Sequence, residues 1–334
     1  MKKFTVNKND ADQRLDKFVT KTTRGLPGSL LYKFIRKKRI KVNGKRSDAA
    51  YRLSEGDEVE LFIPDEFFGR DTAACEYSRS KATPDVVFED ENVILVNKKP
   101  GVLSHTGDGE GASPSEEAER STLIFAIKAY LFGKGEYDPS SENSFAPALC
   151  NRIDRNTGGI VIAAKNAKTL RAVNEAIKRR EIKKFYLCAV HGIPEKKEGR
   201  ATAYLRKDET ANKVTVRDDP FPGAKKIVTA YRVVAENRKD GLSLLEVELL
   251  TGRTHQIRAH LDHLGFPLVG EGKYGVNRED RDRGFRYQAL YSYKTVFESH
   301  IPEIEYLCGR SFSIPADSRS IPFVSLFGTD TKKR

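Results

Sequence analysis

The stretch Asn151-Arg152-Ile153-Asp154-Arg155-Asn156-Thr157-Gly158-Gly159 runs directly into Ile160-Val161-Ile162-Ala163-Ala164. No other feature constrains the fold as tightly. Five consecutive apolar residues, three of them β-branched, predict a buried strand. The two glycines ahead of it permit a tight backbone turn where side chains would clash. Asp154 therefore sits between Arg152 and Arg155 on a rigid platform anchored in a core. A carboxylate placed in this way is held ionised, either as half of a structural ion pair or as a chemical group, and the stretch alone leaves both open.

A chain of 334 residues suits two domains, or one large domain with an appendage. Hydrophobic residues make up 38% of it, with no run near the length needed to span a bilayer. The opening Met1-Lys2-Lys3-Phe4-Thr5-Val6-Asn7 lacks the apolar core of a signal peptide, so a cytoplasmic location is expected. Cys75, Cys150, Cys188 and Cys308 lie far apart with no CxxC spacing, as expected of free thiols rather than a disulfide framework or a zinc site. The net charge of +12 is uneven: residues 1–63 hold 16 Lys and Arg against 8 Asp and Glu. A small basic unit joined to a larger, nearly balanced one suggests an anchor for a polyanion plus a working domain. A merely solvated charged surface is the competing account.

Residues 1–63 are expected to form that basic unit. Leu15, Phe18 and Val19 repeat at helical spacing, and Leu30, Leu31, Phe34 and Ile35 give a second apolar stripe. The second helix ends in Arg36-Lys37-Lys38-Arg39, where cations suit the C-terminal dipole. Ile40 and Val42 alternate into Asn43-Gly44, a hairpin signal, and Val59, Leu61 and Ile63 alternate in a closing strand. This order resembles the αL RNA-binding domain named after small-subunit ribosomal protein four. The resemblance implies that Lys33, Arg36, Lys37, Lys38, Arg39 and Lys41 face phosphates, giving affinity more than sequence choice.

Residues 64–84 read as a linker, 85–320 as the working domain and 321–334 as a basic tail. Val86 to Gly101 reads as strand, turn, strand, ended by Pro100-Gly101. The segment 105–147 has 8 acidic and 3 basic residues and one helical stripe, Leu123, Ile124, Ile127 and Leu131. It is expected to be a mostly mobile acidic insertion around one packed helix. Leu170, Val173 and Ile177 predict an amphipathic helix, followed by a strand at Lys183–Gly192 that carries Tyr186. Residues 193–225 suggest a hairpin with loose ends, before strands at Ile227–Val234 and Leu242–Leu250.

In Thr251 to Gly265, Thr254 can cap a helix that Gly265 ends, with Ile257, Leu261 and Leu264 on its buried face. His255 and Arg258 lie three apart and share neighbouring faces. His255 and His260 are roughly 140° apart around a helix, and no HExxH arrangement is present. No metal is expected.

Four islands together resemble the RluA family of pseudouridine synthases. Asn97-Lys98-Lys99-Pro100-Gly101 is similar to its N-K-P-x-G turn, and Asn151 to Gly159 to its H-R-L-D-x-x-T-S-G motif. Lys184 to Val190 is similar to K-x-Y-x-A-x-V. Thr251 to His260, followed by Gly270-Glu271-Gly272-Lys273-Tyr274-Gly275, is similar to T-G-R-T-H-Q-I-R-x-H and G-D-x-x-Y-G. Asn151 stands where the family has His, and Gly158 where it has Ser.

The resemblance implies an α+β fold: a mixed, mainly antiparallel sheet with flanking helices, plus the small N-terminal α/β RNA-binding domain. It implies isomerisation of uridine to pseudouridine in ribosomal RNA, chiefly the large-subunit 23S molecule or its precursor particles, by a monomer needing no cofactor. Asp154 would be the essential nucleophile or charge stabiliser. Tyr186 would stack on the uracil and assist proton removal from carbon 5, and Arg258 would be the salt-bridge partner of Asp154. Arg152 and Arg155 would meet RNA around the flipped base, and Arg253 and His255 would support the site or contact RNA. Two other classes compete. One is a non-catalytic RNA-binding protein that keeps this fold. The other is a glycoside hydrolase, for which the second flanking carboxylate is missing.

Overall fold

The computed structural model describes residues 1–328 except 24, 69–72, 81, 107–114, 209, 212, 276 and 277. The basic unit comprises β1 (Lys2–Thr5), α1 (Leu15–Thr22), α2 (Gly28–Arg36), β2 (Ile40–Val42), β3 (Lys45–Arg46) and β4 (Glu58–Leu61). Its antiparallel sheet runs β1-β4-β2-β3. Leu15, Phe18, Val19, Leu31, Phe34 and Ile35 turn the apolar stripes of the two helices onto that sheet. Asn43 and Gly44 take φ of 51° and 72°, the left-handed pair that a two-residue hairpin turn requires. Strand β1 was absent from the sequence expectation, because Lys2-Lys3-Phe4-Thr5 offers a single apolar side chain to read.

The larger unit opens with α3 (Ala73–Arg79), β5 (Val86–Glu89), β6 (Val93–Lys98), α4 (Glu116–Arg120), α5 (Leu123–Gly133), β7 (Ala148–Leu149) and β8 (Gly158–Ala164). It continues with α6 (Ala167–Arg179), β9 (Ile182–His191), β10 (Glu198–Asp208), β11 (Lys213–Arg217), β12 (Lys225–Asn237) and β13 (Leu242–Leu249). Last come α7 (Gln256–His263), α8 (Arg278–Asp282), β14 (Leu290–Phe297) and β15 (Ser311–Ser313). Its sheet runs β11-β10-β12-β13-β9-β14-β8-β6-β5, with β15 on β14 and β7 on β8. Among the described residues β8–β14 is the one parallel pair; the other pairings of this sheet are antiparallel.

Cores lie on both faces of this sheet. Val93, Leu95, Ile160, Ile162, Leu187 and Ala189 face α6 and two 3-10 helices, Pro302–Leu307 and Pro322–Phe327. Ile94, Val96, Val161, Ala163, Tyr186 and Cys188 face α3, α5 and α7. Strand β8 is therefore buried at every position, which explains an apolar run without alternation. Its glycines answer to the neighbouring strand. A Cβ on Gly158 would lie 2.3 Å from the Tyr291 ring, and one on Gly159 2.2 Å from the Ser292 carbonyl.

Three sequence expectations change. Within 64–84, read as a linker, α3 packs Tyr77 against Phe125, Phe132 and Tyr137, a single aromatic doing what no periodic stripe announced. Within 105–147, Tyr137 and Phe145 are buried besides α5, and Glu142, Asn143 and Ser144 are hydrogen-bonded to the basic unit, so from Thr122 onward the insertion is anchored in the fold at several points. In the expected tail, Ile321, Phe323, Val324 and Phe327 are buried, each contributing about 1.5–3 kcal/mol. A 3-10 turn is too short to show as periodicity. Residues 329–334 lie outside the described residues.

Candidate active site

The turn between β7 and β8 is held from several sides. The Asp154 carbonyl accepts from Thr157 N at 3.0 Å, Ser104 Oγ donates to the Ile153 carbonyl, and Asn151 Oδ1 accepts from Ile162 N at 2.8 Å. The departure at Asn151 thus has a structural use, since its amide ties the turn back to β8. Below lies Lys98, fully buried, whose Nζ donates to the carbonyls of Lys99, Val102 and Arg155 at 3.1, 2.8 and 2.9 Å. Burial pulls Lys98 down to about 7, and the Asp154 charge pulls it back up. Three carbonyls demand three N–H donors, which only the ammonium supplies, so a cation sits under the turn. Arg155 reaches back to the same segment, Nε donating to the Gly101 carbonyl at 3.0 Å.

Asp154 leaves the turn with its side chain 28% exposed and meets α7. Arg258 Nη1 donates to Asp154 Oδ2 at 2.8 Å, and His255 Nε2 stands 3.9 Å from the same oxygen. The other edge of the guanidinium is taken by Glu271, with Nε to Oε2 at 2.8 Å and Nη2 to Oε1 at 2.6 Å. Burial lowers the Arg258 pKa, but hydrogen bonds and charge from Glu271, then from Asp154, outweigh it and raise it. Burial also holds His255 below its ordinary value, which favours the neutral imidazole. Tyr274 Oη accepts from Val214 N at 3.0 Å and lies 2.8 Å from His255 Nδ1. If that hydroxyl donates to Nδ1, the Nε2–H of His255 faces Asp154.

Helix α7 starts differently from the expected cap. His255 takes φ +52° and Thr254 makes no cap bond; Gln256, buried, does the work instead. Its Oε1 accepts from Thr251 Oγ1 and Arg253 N, and its Nε2 donates to the Val228 carbonyl and Thr229 Oγ1. Pinning α7 to β12 in this way aims Arg258 at the turn.

Tyr186 lies on β9, opposite Ser292 of β14, and is only 5% exposed, so it forms floor rather than wall. Burial pushes its hydroxyl up to about 12, with the Asp154 charge adding to the rise. The structure therefore brings together Asp154, Arg258, His255 and Tyr186. Arg152 and Arg253 are exposed beside them, while Lys33, Arg36, Lys37, Lys38 and Arg39 are exposed on the basic unit with Lys41 half-buried. Glu271, Lys98 and Tyr274 were given no role by sequence reasoning. A charge left inside an otherwise apolar or glycine-rich turn was the available signal. Among the described residues, no group of three or more His, Cys, Asp or Glu is arranged to hold a metal ion. A cleft of about 580 Å³ lined by Asp12, Lys168, Arg171, Glu175 and His300 includes none of these residues.

The family model described as RNA pseudouridylate synthase matches residues 92–263, just over half of the chain and the span carrying Lys98, Asp154, Tyr186 and Arg258. The chain belongs to the RNA pseudouridylate synthase family. Its enzymes are isomerases acting on RNA. An S4 domain model matches residues 13–59 of the basic unit. An uncharacterized RNA pseudouridine synthase of Mycoplasma genitalium is 33% identical over 297 residues, covering 88% of each chain. A ribosomal large subunit pseudouridine synthase C of Buchnera aphidicola is 30% identical over 83% of this chain and 82% of its own. The human RNA pseudouridylate synthase domain containing 4 structure has a TM-score of 0.52 at 17% identity, covering 72% of this chain and 91% of its own, a likeness of fold. No described helix is long and apolar enough to cross a membrane.

Proposed function

We propose that this synthase isomerises specific uridines of ribosomal RNA, chiefly the large-subunit 23S molecule, as a cytoplasmic monomer. Residues 1–63 serve as the RNA anchor, through Lys33, Arg36, Lys37, Lys38, Arg39 and Lys41, and the synthase unit follows from residue 85. The observation that carries the reading is Asp154, fixed by Arg258 at 2.8 Å above the Tyr186 floor. A target uridine must leave its stack, at a cost of a few kcal/mol, and Arg152 and Arg155 stand exposed on the turn where the gap would need filling. The N1–C1′ bond breaks and Asp154 faces the electron-poor anomeric carbon. The base then rotates, C5 bonds to C1′, C5 loses its proton and N1 gains one, so no oxidant or cofactor enters the balance. Large-subunit specificity is supported by relatives named for that substrate.

The test is a chemical map of pseudouridines in ribosomal RNA from cells with and without the gene, complemented by wild type or Asp154→Asn. Deletion is expected to erase particular sites, and wild type alone to restore them, while the variant still binds ribosomal RNA. Full restoration by Asp154→Asn removes the aspartate from the chemistry; an unchanged map on deletion removes the substrate.

A further inference from the structure

Among the described residues, the exposed Tyr32, Tyr51 and Tyr306 each donate their hydroxyl to a carboxylate, that of Asp16, Asp57 and Asp90. Tyr287 is 42% exposed and its hydroxyl has no such partner. Its position is nevertheless fixed. The hydroxyl end of the ring lies over Gly101, where a Cβ would stand 2.9 Å from Tyr287 Oη and 3.3 Å from Cζ. Gly101 is bound to the turn that carries Asp154: its N–H donates to the Arg155 carbonyl at 2.9 Å, and its carbonyl accepts from Arg155 Nε at 3.0 Å. On the backbone side, a Cβ on Gly270 would lie 2.4 Å from the Tyr287 carbonyl. The next residue, Gln288, is buried and donates from Nε2 to Thr157 Oγ1 at 3.2 Å. Tyr287 is thus held beside the Asp154 turn while much of its side chain stays open to solvent.

Three segments meet there, residues 98–101, 151–157 and 283–288. Together they carry six Lys and Arg against one carboxylate, Asp154. Lys98 is buried beneath the turn, whereas Lys99, Arg155 and Arg286 are exposed. An exposed ring among cations matches a single strand of RNA, whose phosphates meet the charges while a base stacks on the ring. A tyrosine already held in place gives up little rotamer freedom on binding. Extrusion of a uridine also leaves its neighbours without a stacking partner. A ring on the rim of the site can take that place.

We propose that Tyr287 is a stacking platform for a nucleobase next to the extruded uridine, with Lys99, Arg155 and Arg286 meeting the phosphates around it. The proposal rests on the reading above, in which a uridine of RNA is extruded to Asp154. Stacking tolerates any base, so the platform selects targets whose neighbour is unpaired rather than targets in a particular sequence.

The experiment uses full chains of wild type, Tyr287→Ala, Tyr287→Leu, Tyr287→Phe and Asp154→Asn, with an RNA stem-loop built on a site mapped in vivo. 2-Aminopurine, whose fluorescence falls when it stacks, replaces the nucleotides on each side of the target in turn. At one position it is expected to be dimmer on wild type and Tyr287→Phe than on Tyr287→Ala or Tyr287→Leu, since leucine keeps apolar bulk without a flat face. Tyr287→Ala should raise KM by about 5–150-fold, the range of one base–aromatic stack, and Tyr287→Phe should recover most of that loss. An abasic nucleotide at the same position should raise the wild-type KM by a similar factor and that of Tyr287→Ala by little more. Equal brightness on all the Tyr287 variants at every position overturns the proposal, as does an abasic effect of the same size in wild type and Tyr287→Ala. A Tyr287→Ala whose loss is confined to melting temperature and active fraction overturns it too. If Tyr287→Ala does not fold, Tyr287→Leu takes its place in both comparisons. Brightness is read without turnover, so Asp154→Asn keeps the two readings apart: activity in that variant defeats the catalytic assignment whatever Tyr287 does.

Discussion

Tyr186 shows how burial decides what one residue can do. With its hydroxyl pushed up to about 12, only about one part in 10⁵ is phenolate at pH 7, so what it presents on the floor of the site is a neutral O–H. The sign is set by desolvation: burial disfavours the charged form, raising an acid that is neutral when protonated. Stability linked to this group is complete below the ordinary tyrosine value of about 10 and is lost as pH climbs toward 12. The alkaline limb of kcat traceable to Tyr186 is therefore expected near 12, and Tyr186→Phe should lower kcat by about 10²–10⁴-fold while binding RNA as wild type does. A pH–rate series alongside the phenolate absorbance of both proteins checks this; a limb near 10, or an unimpaired Phe variant, rejects it. Asp154, Tyr186 and Arg258 could be singled out in the sequence because each stands in a distinctive local pattern. That Asp154 and Arg258, 104 residues apart, touch was supplied by resemblance and not by spacing. Glu271 and Lys98 were not assigned, because their meaning lies in what buries them.

At the scale of elements, the close approach of β8 and β14 shapes the turn that carries Asp154. Tyr291 lies opposite Gly158, its ring occupying the space a side chain would need, and its hydroxyl donates to Asn97 Oδ1 at 2.6 Å. The departure at Gly158 is thus coupled to Tyr291. Gly158→Ser is expected to destabilise by about 1–3 kcal/mol through overpacking. Adding Tyr291→Leu should return part of that loss, beyond the sum of the single effects. Denaturant unfolding of the four proteins in a double-mutant cycle measures the coupling, and strict additivity would mean the two residues do not compete. Strand β8 was readable because an unbroken β-branched run has few alternatives. The start of α7 was misread for the opposite reason: Thr254 has the chemistry of a cap, but the positive φ at His255 hands the role to Gln256, a choice made by contacts with β12.

The whole molecule joins the S4 domain to the synthase unit through a polar seam. Buried Asp10 accepts from Asn143 Nδ2 at 2.7 Å and Ser144 Oγ at 2.5 Å, Gln13 Nε2 donates to Ser144 Oγ, and Glu142 accepts from the amides of Asn7 and Asn9. On another side Ala167 N donates to Asn9 Oδ1 and Arg171 lies 3.6 Å from Asp12. Composition had marked residues 105–147 as acidic and loose; it could not show that three of them fasten the S4 domain. If the basic unit anchors the RNA as proposed, a fixed seam makes anchoring and base capture one event, because a pre-oriented second contact binds at high effective concentration. The two contributions separate by salt. Replacing Arg36, Lys37, Lys38 and Arg39 with Ala should weaken ribosomal RNA binding and flatten its dependence on salt by up to about 0.9 in log–log slope per lost duplex phosphate contact. Asn143→Ala with Ser144→Ala removes no cation, so its slope should stay as in wild type while affinity falls and small-angle scattering shows a larger radius of gyration. Binding isotherms over a salt series, with scattering on the same samples, read both effects. Equal affinity and an unchanged radius in the seam variant would show that the two domains act on RNA independently, and an unchanged slope in the basic-cluster variant that the anchor lies elsewhere.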